Sequence, residues 1–563
     1  MTRCMMPMSR RSGSVAGDDL GGSSTSVSTL GDPLPRGMVP VEIEAPPSHA
    51  ASTGPQSVNG LNGSPRGPPS GGAEEGKERS AQPSGGRLEW FAIQSVCTVS
   101  IFAALLGYDI GVMSGAVLPM VRDLGFTDQQ TEVAVGCLNF VSALGAITGG
   151  SLYNRLGAVS CVRVAVALYA LGMLMIAASY DFWQVLSGRV VCGLGVGLGF
   201  AICPQYIAEI SPPAWRGFLV SMFEISINVG LCAGYAANLA LESLQDSPRW
   251  RGCMLVPLPP TALVLLVMVP KLPESPRWLM REPGREAVAL EVLIKTCGET
   301  AAPSALADIQ GVIATQDDCG GDSKGHGSSG WSALFFEPVA RRALLIGAGT
   351  AFFQQGNGSE AAVYYVPQVL RAAGVTSEHA QLQAASLVGF CKTVCIVVGQ
   401  LSVDKYGRRI MLLSSIAAVT GSLCMLAWCL GGGAGPNAAG VTLTALCLFM
   451  ASFSLGMGPV TWVVASEIFP LRVRARGTAF SMAVNRLTSG TVAMTFLSLA
   501  GWLGAGGAFV FFACVSALHF AFTFVMLPET KGKTLEEIEA LLGMERPRAY
   551  QRLSEDQRGE QNT

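Results

Sequence analysis

Six ionisable side chains stand where ionisable side chains are expensive. Asp109, Arg189, Glu224, Glu360, Lys392 and Arg486 each lie inside a run of apolar residues. A charge at the centre of a membrane helix costs roughly 2.5–3.5 kcal/mol on insertion scales, so six together cost roughly 15–20 kcal/mol before any pairing. Three are acids and three are bases, so the set sums to zero. That balance suits groups arranged around a water-filled cavity, although structural ion pairing is the plainer reading for any single member. A buried carboxylate that meets and leaves a guanidinium changes its proton affinity as it does so, and can therefore load and release a proton. A second set is mostly neutral. Gln354 and Gln355 precede Glu360, Tyr364 and Tyr365; Trp462 follows Gly458-Pro459; Asn485 precedes Arg486. Amides that both donate and accept, next to an indole face, suit an uncharged polyhydroxylated ligand. The plainer readings are interhelical hydrogen bonding for the glutamines and packing for Trp462.

Other patterns carry less. Gly193, Gly195, Gly197 and Gly199 alternate without forming a phosphate-binding turn, and close helix packing explains them better. Cys391 and Cys395 are one helical turn apart but have no His or second Cys pair nearby, so no metal site is expected. His519 falls in an apolar run and reads as a packed helix residue. Asn357-Gly358-Ser359 is a glycosylation sequon by letters only, since it is predicted at membrane depth. No nucleophile–base set or cofactor signature converges, so an enzyme is not expected.

The elements that must position these groups are set by hydropathy. The chain has 563 residues, of which 50% are apolar and 14% charged, with a mean hydropathy of +0.41. An ordinary soluble domain carries about 25% charge. The charges crowd into 1–88, 271–342 and 528–563, so only 30 lie in the other 367 residues. A net charge of −2 leaves no basic footprint for nucleic acid. From Trp90 onward twelve apolar stretches follow, at about 91–118, 131–153, 160–179, 183–207, 217–240, 252–270, 343–370, 383–403, 410–430, 441–465, 477–499 and 505–527. Each is close to or above the ~20 residues that cross a bilayer as a helix. The reading is an all-α membrane protein: a disordered tail 1–88, a six-helix bundle 89–270, a cytosolic helical linker 271–342, a second six-helix bundle 343–527 and a tail 528–563. The first tail has arginines but no apolar core like that of a secretory signal; a transit peptide is the other reading. Short even-to-odd connections carry nine Lys or Arg residues against four in the odd-to-even ones, which places both termini and the linker in the cytosol.

The two halves repeat. Glu209 to Arg216 after span 4 matches Glu467 to Arg474 after span 10, both Glu-x6-Arg with an intervening proline. Pro273-Glu274-Ser275 matches Pro528-Glu529-Thr530, and Asn154-Arg155-Leu156-Gly157 matches Asp404-Lys405-Tyr406-Gly407-Arg408-Arg409. Two parallel halves suit a transporter that rocks around a central site. Depth singles out one pair. Asp109 lies 18 residues into the first stretch, ~27 Å from the inner boundary, and Arg189 about ~21 Å from it, so both fall in the outer half.

Three segments now carry a resemblance. Gly107-Tyr108-Asp109-Ile110-Gly111-Val112-Met113-Ser114-Gly115, Pro273-Glu274-Ser275-Pro276-Arg277-Trp278-Leu279 and Pro528-Glu529-Thr530-Lys531-Gly532 resemble the sugar-porter family of the major facilitator superfamily, over about 90–540. Phe223-Glu224, Lys392-Thr393 and the run from Ala483 to Gly490 are similar to plant-type proton-coupled polyol and monosaccharide transporters. The resemblance implies that Asp109 and Arg189 couple protons. It implies that Glu224, Gln354, Gln355, Glu360, Trp462 and Asn485 contact substrate, with Lys392 and Arg486 completing the site. It implies a cytoplasmic gate of Arg155, Glu209, Arg216, Glu274, Arg408, Glu467 and Arg474. The expected partners are a small polyol or sugar, a proton and the bilayer, in the plasma membrane, with no cofactor and no metal. A passive facilitator and a sugar-sensing receptor of the same fold are the alternatives. Two departures stand out. Ala158-Val159 replace the arginines that the family carries after Gly157, which predicts a weaker latch in the first half. Glu360 stands where the polyol group carries aspartate.

Overall fold

The structure, a computed structural model, describes residues 89–212, 214–321, 330–470, 473–533, 537–538 and 541–542. The expected tail 1–88 and all but a few residues of 528–563 lie outside these. Spans 1 to 5 are the helices Trp90–Leu124, Asp128–Leu156, Ala158–Ala177, Phe182–Ile210 and Arg216–Ala240. Span 6 is Asp246–Lys271. Helices at Pro276–Leu279, Glu286–Cys297, Ala302–Gly321 and Gly330–Phe336 then lead to the second half. Spans 8, 9 and 10 are Glu378–Tyr406, Arg408–Gly433 and Gly435–Glu467.

Among the described residues, ten helices are long and apolar enough to cross a membrane by length and composition alone. The other two of the twelve are hidden by local geometry. Span 7 is broken into Pro338–Gly356, Ser359–Tyr364 and Val366–Ala372, so no single piece reaches membrane length and apolarity together. Spans 11 and 12 are joined as Arg474–Met526, a 53-residue run that turns at Gly504, whose φ of 75° and ψ of 160° no helix contains.

Local chemistry sets the ends. Thr127 and Gln130 cap span 2 reciprocally, the Gln130 N–H donating to Thr127 Oγ1 at 3.2 Å and the Thr127 N–H to Gln130 Oε1 at 3.0 Å. Asp181 accepts from the Gln184 N–H at 2.8 Å and starts span 4.

Glycine sets the rotation of the helices that carry charge. A Cβ added at Gly107 would lie 1.8 Å from the Ile227 carbonyl oxygen, and one at Gly111 would lie 2.1 Å from that of Leu231. Spans 1 and 5 therefore touch backbone to backbone, which is possible only without side chains. The alternating glycines of span 4 serve two neighbours. Gly193 and Gly197 press on Leu138 and Ser142 of span 2, and Gly195 on Ala165 of span 3. Arg189 lies one turn before Gly193, on the face turned to span 2.

Candidate functional site

Asp109 is fixed by its neighbours before any partner is considered. Tyr108 donates to the Cys253 carbonyl at 2.7 Å, and Tyr169 of span 3 donates to that of Leu105 at 2.8 Å. The glycine face holds span 1 on span 5, so Asp109 points toward span 4. There Arg189 Nη1 donates to Asp109 Oδ1 at 2.8 Å and to Oδ2 at 3.0 Å. The other guanidinium nitrogens are held by span 2: Nε donates to the Ala134 carbonyl at 3.0 Å and Nη2 to that of Val135 at 3.1 Å. Both side chains are 0% exposed. The arginine is thus anchored by backbone carbonyls of span 2 as well as by the aspartate.

The amide set forms a separate network at the first break of span 7. Gln354 Nε2 donates to the carbonyls of Met457 (2.9 Å) and Gly458 (3.1 Å). Those carbonyls sit where span 10 widens into a π-turn at Phe453–Met457, immediately before Pro459. Asn485 Nδ2 donates to Gln354 Oε1 at 2.7 Å. Its Oδ1 accepts from Arg486 Nη2 at 2.7 Å and Nε at 3.1 Å, and from Gln355 Nε2 at 3.4 Å. The Arg486 guanidinium also lies 4.9 Å from the ring centroid of Phe200, on span 4 of the other half.

Span 7 breaks because Gly358 has φ 83°, and a Cβ there would lie 2.7 Å from the Phe512 ring. Glu360 follows at the start of the next segment, part-buried. Glu224 is part-buried, with Lys392, Arg486 and Glu360 as its charged neighbours. Among the described residues no ion pair joins any two of these four, and the Arg486 guanidinium is held by Asn485 instead. Trp462 is part-buried in span 10 and adds an indole face. Asn357, by contrast, is fully buried and donates to Met457 Sδ at 2.8 Å, so it is no glycosylation site.

The residues expected to form a gate lie toward the linker end, where one device is used twice. The Glu274 carboxylate accepts from the N–H groups of Ala158 (2.6 Å), Val159 (3.3 Å) and Ser275 (3.0 Å), capping span 3. Glu529 accepts from those of Arg408, Arg409 and Lys531, each at 3.0 Å, capping span 9. Burial pushes the Glu274 carboxyl up, beyond what its amide donors offset. Burial acts on Glu529 too, but there the amide donors prevail and hold it below the ordinary range. Ser275 donates to Glu209, as Thr530 donates to Glu467 at 2.6 Å.

Beyond that the halves diverge. Arg408 donates to Glu467 through Nη2 (2.9 Å) and Nε (3.2 Å). Ala158 takes the position of Arg408, and its side chain has nothing to donate. Instead the Tyr153 hydroxyl donates to Glu209, joined by Gln205 at 3.0 Å. Here the sequence reading needs a correction. Arg155 is exposed and makes no ion pair with Glu209 or Glu274, because it lies two residues before Gly157 on the outward side of span 2. Arg216 lies near Glu209 without a hydrogen bond to it, and Arg474 donates to the Phe469 carbonyl at 3.2 Å.

Sequence reasoning also missed Tyr153, Phe200 and Glu132. Glu132 is buried in the first turns of span 2, where an acid reads as a solvated helix start. Its carboxylate accepts from Ser498 of span 11, through the N–H at 2.8 Å and Oγ at 2.6 Å.

The family described as sugar (and other) transporter matches residues 96–542. The chain belongs to it. The chain is a multi-pass membrane protein of the sugar-porter family in the major facilitator superfamily, and a transporter rather than an enzyme. It is 40% identical over 481 residues to "Probable polyol transporter 4" of Arabidopsis thaliana, covering 84% of this chain and 90% of that one. It is 30% identical to the glucose transporter GlcP of Staphylococcus epidermidis, covering 77% and 94%. Among solved structures it is similar to the Escherichia coli xylose transporter XylE in an inward-open conformation, with a TM-score of 0.67 and 26% identity over 80% of this chain and 99% of that one.

Proposed function

We propose that this sugar porter imports a polyol or monosaccharide together with a proton, by alternating access. The observation that carries the reading is the buried Asp109–Arg189 pair. Its arginine is tied to span 2 by two carbonyls, so protonation of Asp109 loosens span 1 from spans 2 and 4 without displacing the cation. Binding that favours the protonated carboxyl links the two fluxes. The substrate sits between Gln354, Gln355, Asn485 and Trp462 on one side and Glu224 on the other, with Glu360, Lys392 and Arg486 completing the ring. Carboxylates that face cations across a gap accept bonds from vicinal hydroxyls, and this favours a substrate with several of them. Relatives named polyol transporters agree with that choice, and a similar solved structure is titled as a proton:xylose symporter. The linker and both termini face the cytosol, and the membrane is the plasma membrane.

The test is uptake by a cell lacking its own transporters, across a panel of polyols and sugars at two external pH values. Symport requires uptake that rises as external pH falls and collapses with an uncoupler. Uptake indifferent to both makes the protein a passive facilitator.

A further inference from the structure

At the end of the bundle opposite the linker, three carboxylates bind across the two halves. Glu378, at the start of span 8, accepts from Arg249 of span 6 at 2.8 Å and from Arg122 of span 1 at 3.2 Å. Glu242, just after span 5, meets His379 Nδ1 at 2.6 Å. Glu132 of span 2 accepts from the Ser498 backbone and hydroxyl, as described above. In each case one partner belongs to the first half and one to the second. Arg249 is almost wholly buried, so its contact is shielded from solvent. Arg122 is also held in its own half by Asp246 at 2.8 Å, which aims it at Glu378.

The linker end is built differently. There Glu209, Glu274, Glu467 and Glu529 all take their partners from their own half. The first half also lacks the arginine that its repeat supplies. Among the described residues, the carboxylates that bond across the halves are thus those of the outer end, while elsewhere the halves are joined by neutral links such as Ser221 Oγ to Gln400 Oε1 at 3.3 Å and Thr393 Oγ1 to the Asn228 carbonyl at 3.0 Å.

We propose that Glu378, Glu242 and Glu132 form an ionic outer gate whose contacts hold the resting transporter closed to the outside and biased toward the cytosol. This rests on the alternating-access reading. Opening outward separates spans 1, 2, 5 and 6 from spans 8 and 11, so all three contacts break together. A gate of this kind acts on the equilibrium between two packings, not on affinity for substrate in either one.

The experiment is a distance measurement on substrate-free protein in lipid nanodiscs. Fluorophores are incorporated site-specifically at Gln129 and Thr376, both exposed at the outer end and in opposite halves. Glu378→Gln should raise the fraction with the labels far apart about five- to tenfold, the lower range of allosteric coupling. His379→Gln and Ser498→Ala should each raise it by less, and the triple variant by more than any single one. Glu242→Lys paired with His379→Glu should restore the resting fraction that Glu242→Lys alone loses. If Glu378→Gln does not fold, the exposed His379→Gln and the mild Ser498→Ala carry the test. An unchanged distance distribution in His379→Gln, Ser498→Ala and their combination overturns the proposal. No proton gradient enters the measurement, so a failure of proton coupling leaves its outcome readable, and uptake that ignores an uncoupler does not count against the gate.

Discussion

Replacing Asp109 by asparagine separates what the carboxylate does for coupling from what it does for stability. In the native protein Arg189 Nη1 is held by both Asp109 oxygens, and no part of either side chain reaches solvent. Asp109→Asn keeps the shape but leaves a buried cation with neutral acceptors alone. Breaking one side of a buried pair costs about 3–5 kcal/mol, while replacing both sides by apolar groups is often neutral. The single variant should therefore melt well below wild type, and Asp109→Asn with Arg189→Leu should recover much of that loss. Coupling should behave otherwise. A potential of about 100 mV supplies ~2.3 kcal/mol per proton, which sustains roughly a fifty-fold gradient at 1.4 kcal/mol per factor of ten. Neither variant has a proton to carry, so neither should concentrate substrate, whatever its stability. The assay is accumulation in proteoliposomes under a clamped potential, with internal pH followed alongside. Uphill accumulation with proton entry by Asp109→Asn would refute the assignment.

Four further outcomes follow from the geometry. Gln354→Ala strips the bonds to the Met457 and Gly458 carbonyls and the partner of Asn485, so loss of about 1–3 kcal/mol should raise the half-saturating substrate concentration roughly five-fold or more; an unchanged concentration dependence of uptake would show that the network is purely structural. Gly358→Ala places a Cβ against the Phe512 ring at a φ that alanine resists, and should cost about 1–3 kcal/mol in thermal unfolding; an unaltered melting temperature counts against span 7 breaking where it does. At the linker end, Arg408→Ala should destabilise more than Tyr153→Phe, because it removes an ion pair with two donated bonds, whereas Glu209 keeps Gln205 and Ser275 when the Tyr153 hydroxyl is lost; equal losses on melting would contradict the asymmetry between the halves. The caps should also respond to acid with opposite sign. Glu529 is depressed, so its stabilisation is complete above the ordinary carboxylate range and fades as pH falls through its own value, whereas Glu274 is raised, so folding gains as pH falls through its value. Melting of Glu274→Gln and Glu529→Gln against wild type at pH 7.5 and in mild acid checks this, and parallel shifts in the two variants would disprove it.

Much of the candidate site is legible in the sequence because membrane insertion makes charges costly. Asp109 and Arg189 were paired by depth alone, and they meet. Gln354, Gln355 and Asn485 were grouped by residue type, and they share one hydrogen-bond network. Arg155 shows the limit. Its spacing matched the repeat, but spacing along a loop does not set which way a side chain turns off a helix end. Tyr153 shows the converse: a phenol in an apolar stretch gives no sign that it replaces a guanidinium.

By itself, the sequence determined the helical membrane class, the doubling of the chain and the identity of the buried charges, because hydropathy and repeat are local properties that accumulate along the chain. Only the tertiary structure decided which carbonyls anchor Arg189, where span 7 breaks, and which acids bridge the halves at the outer end. Those depend on the rotation of each helix about its axis and on its register against its neighbours. A few close glycine contacts set both, between residues 30 to 120 positions apart.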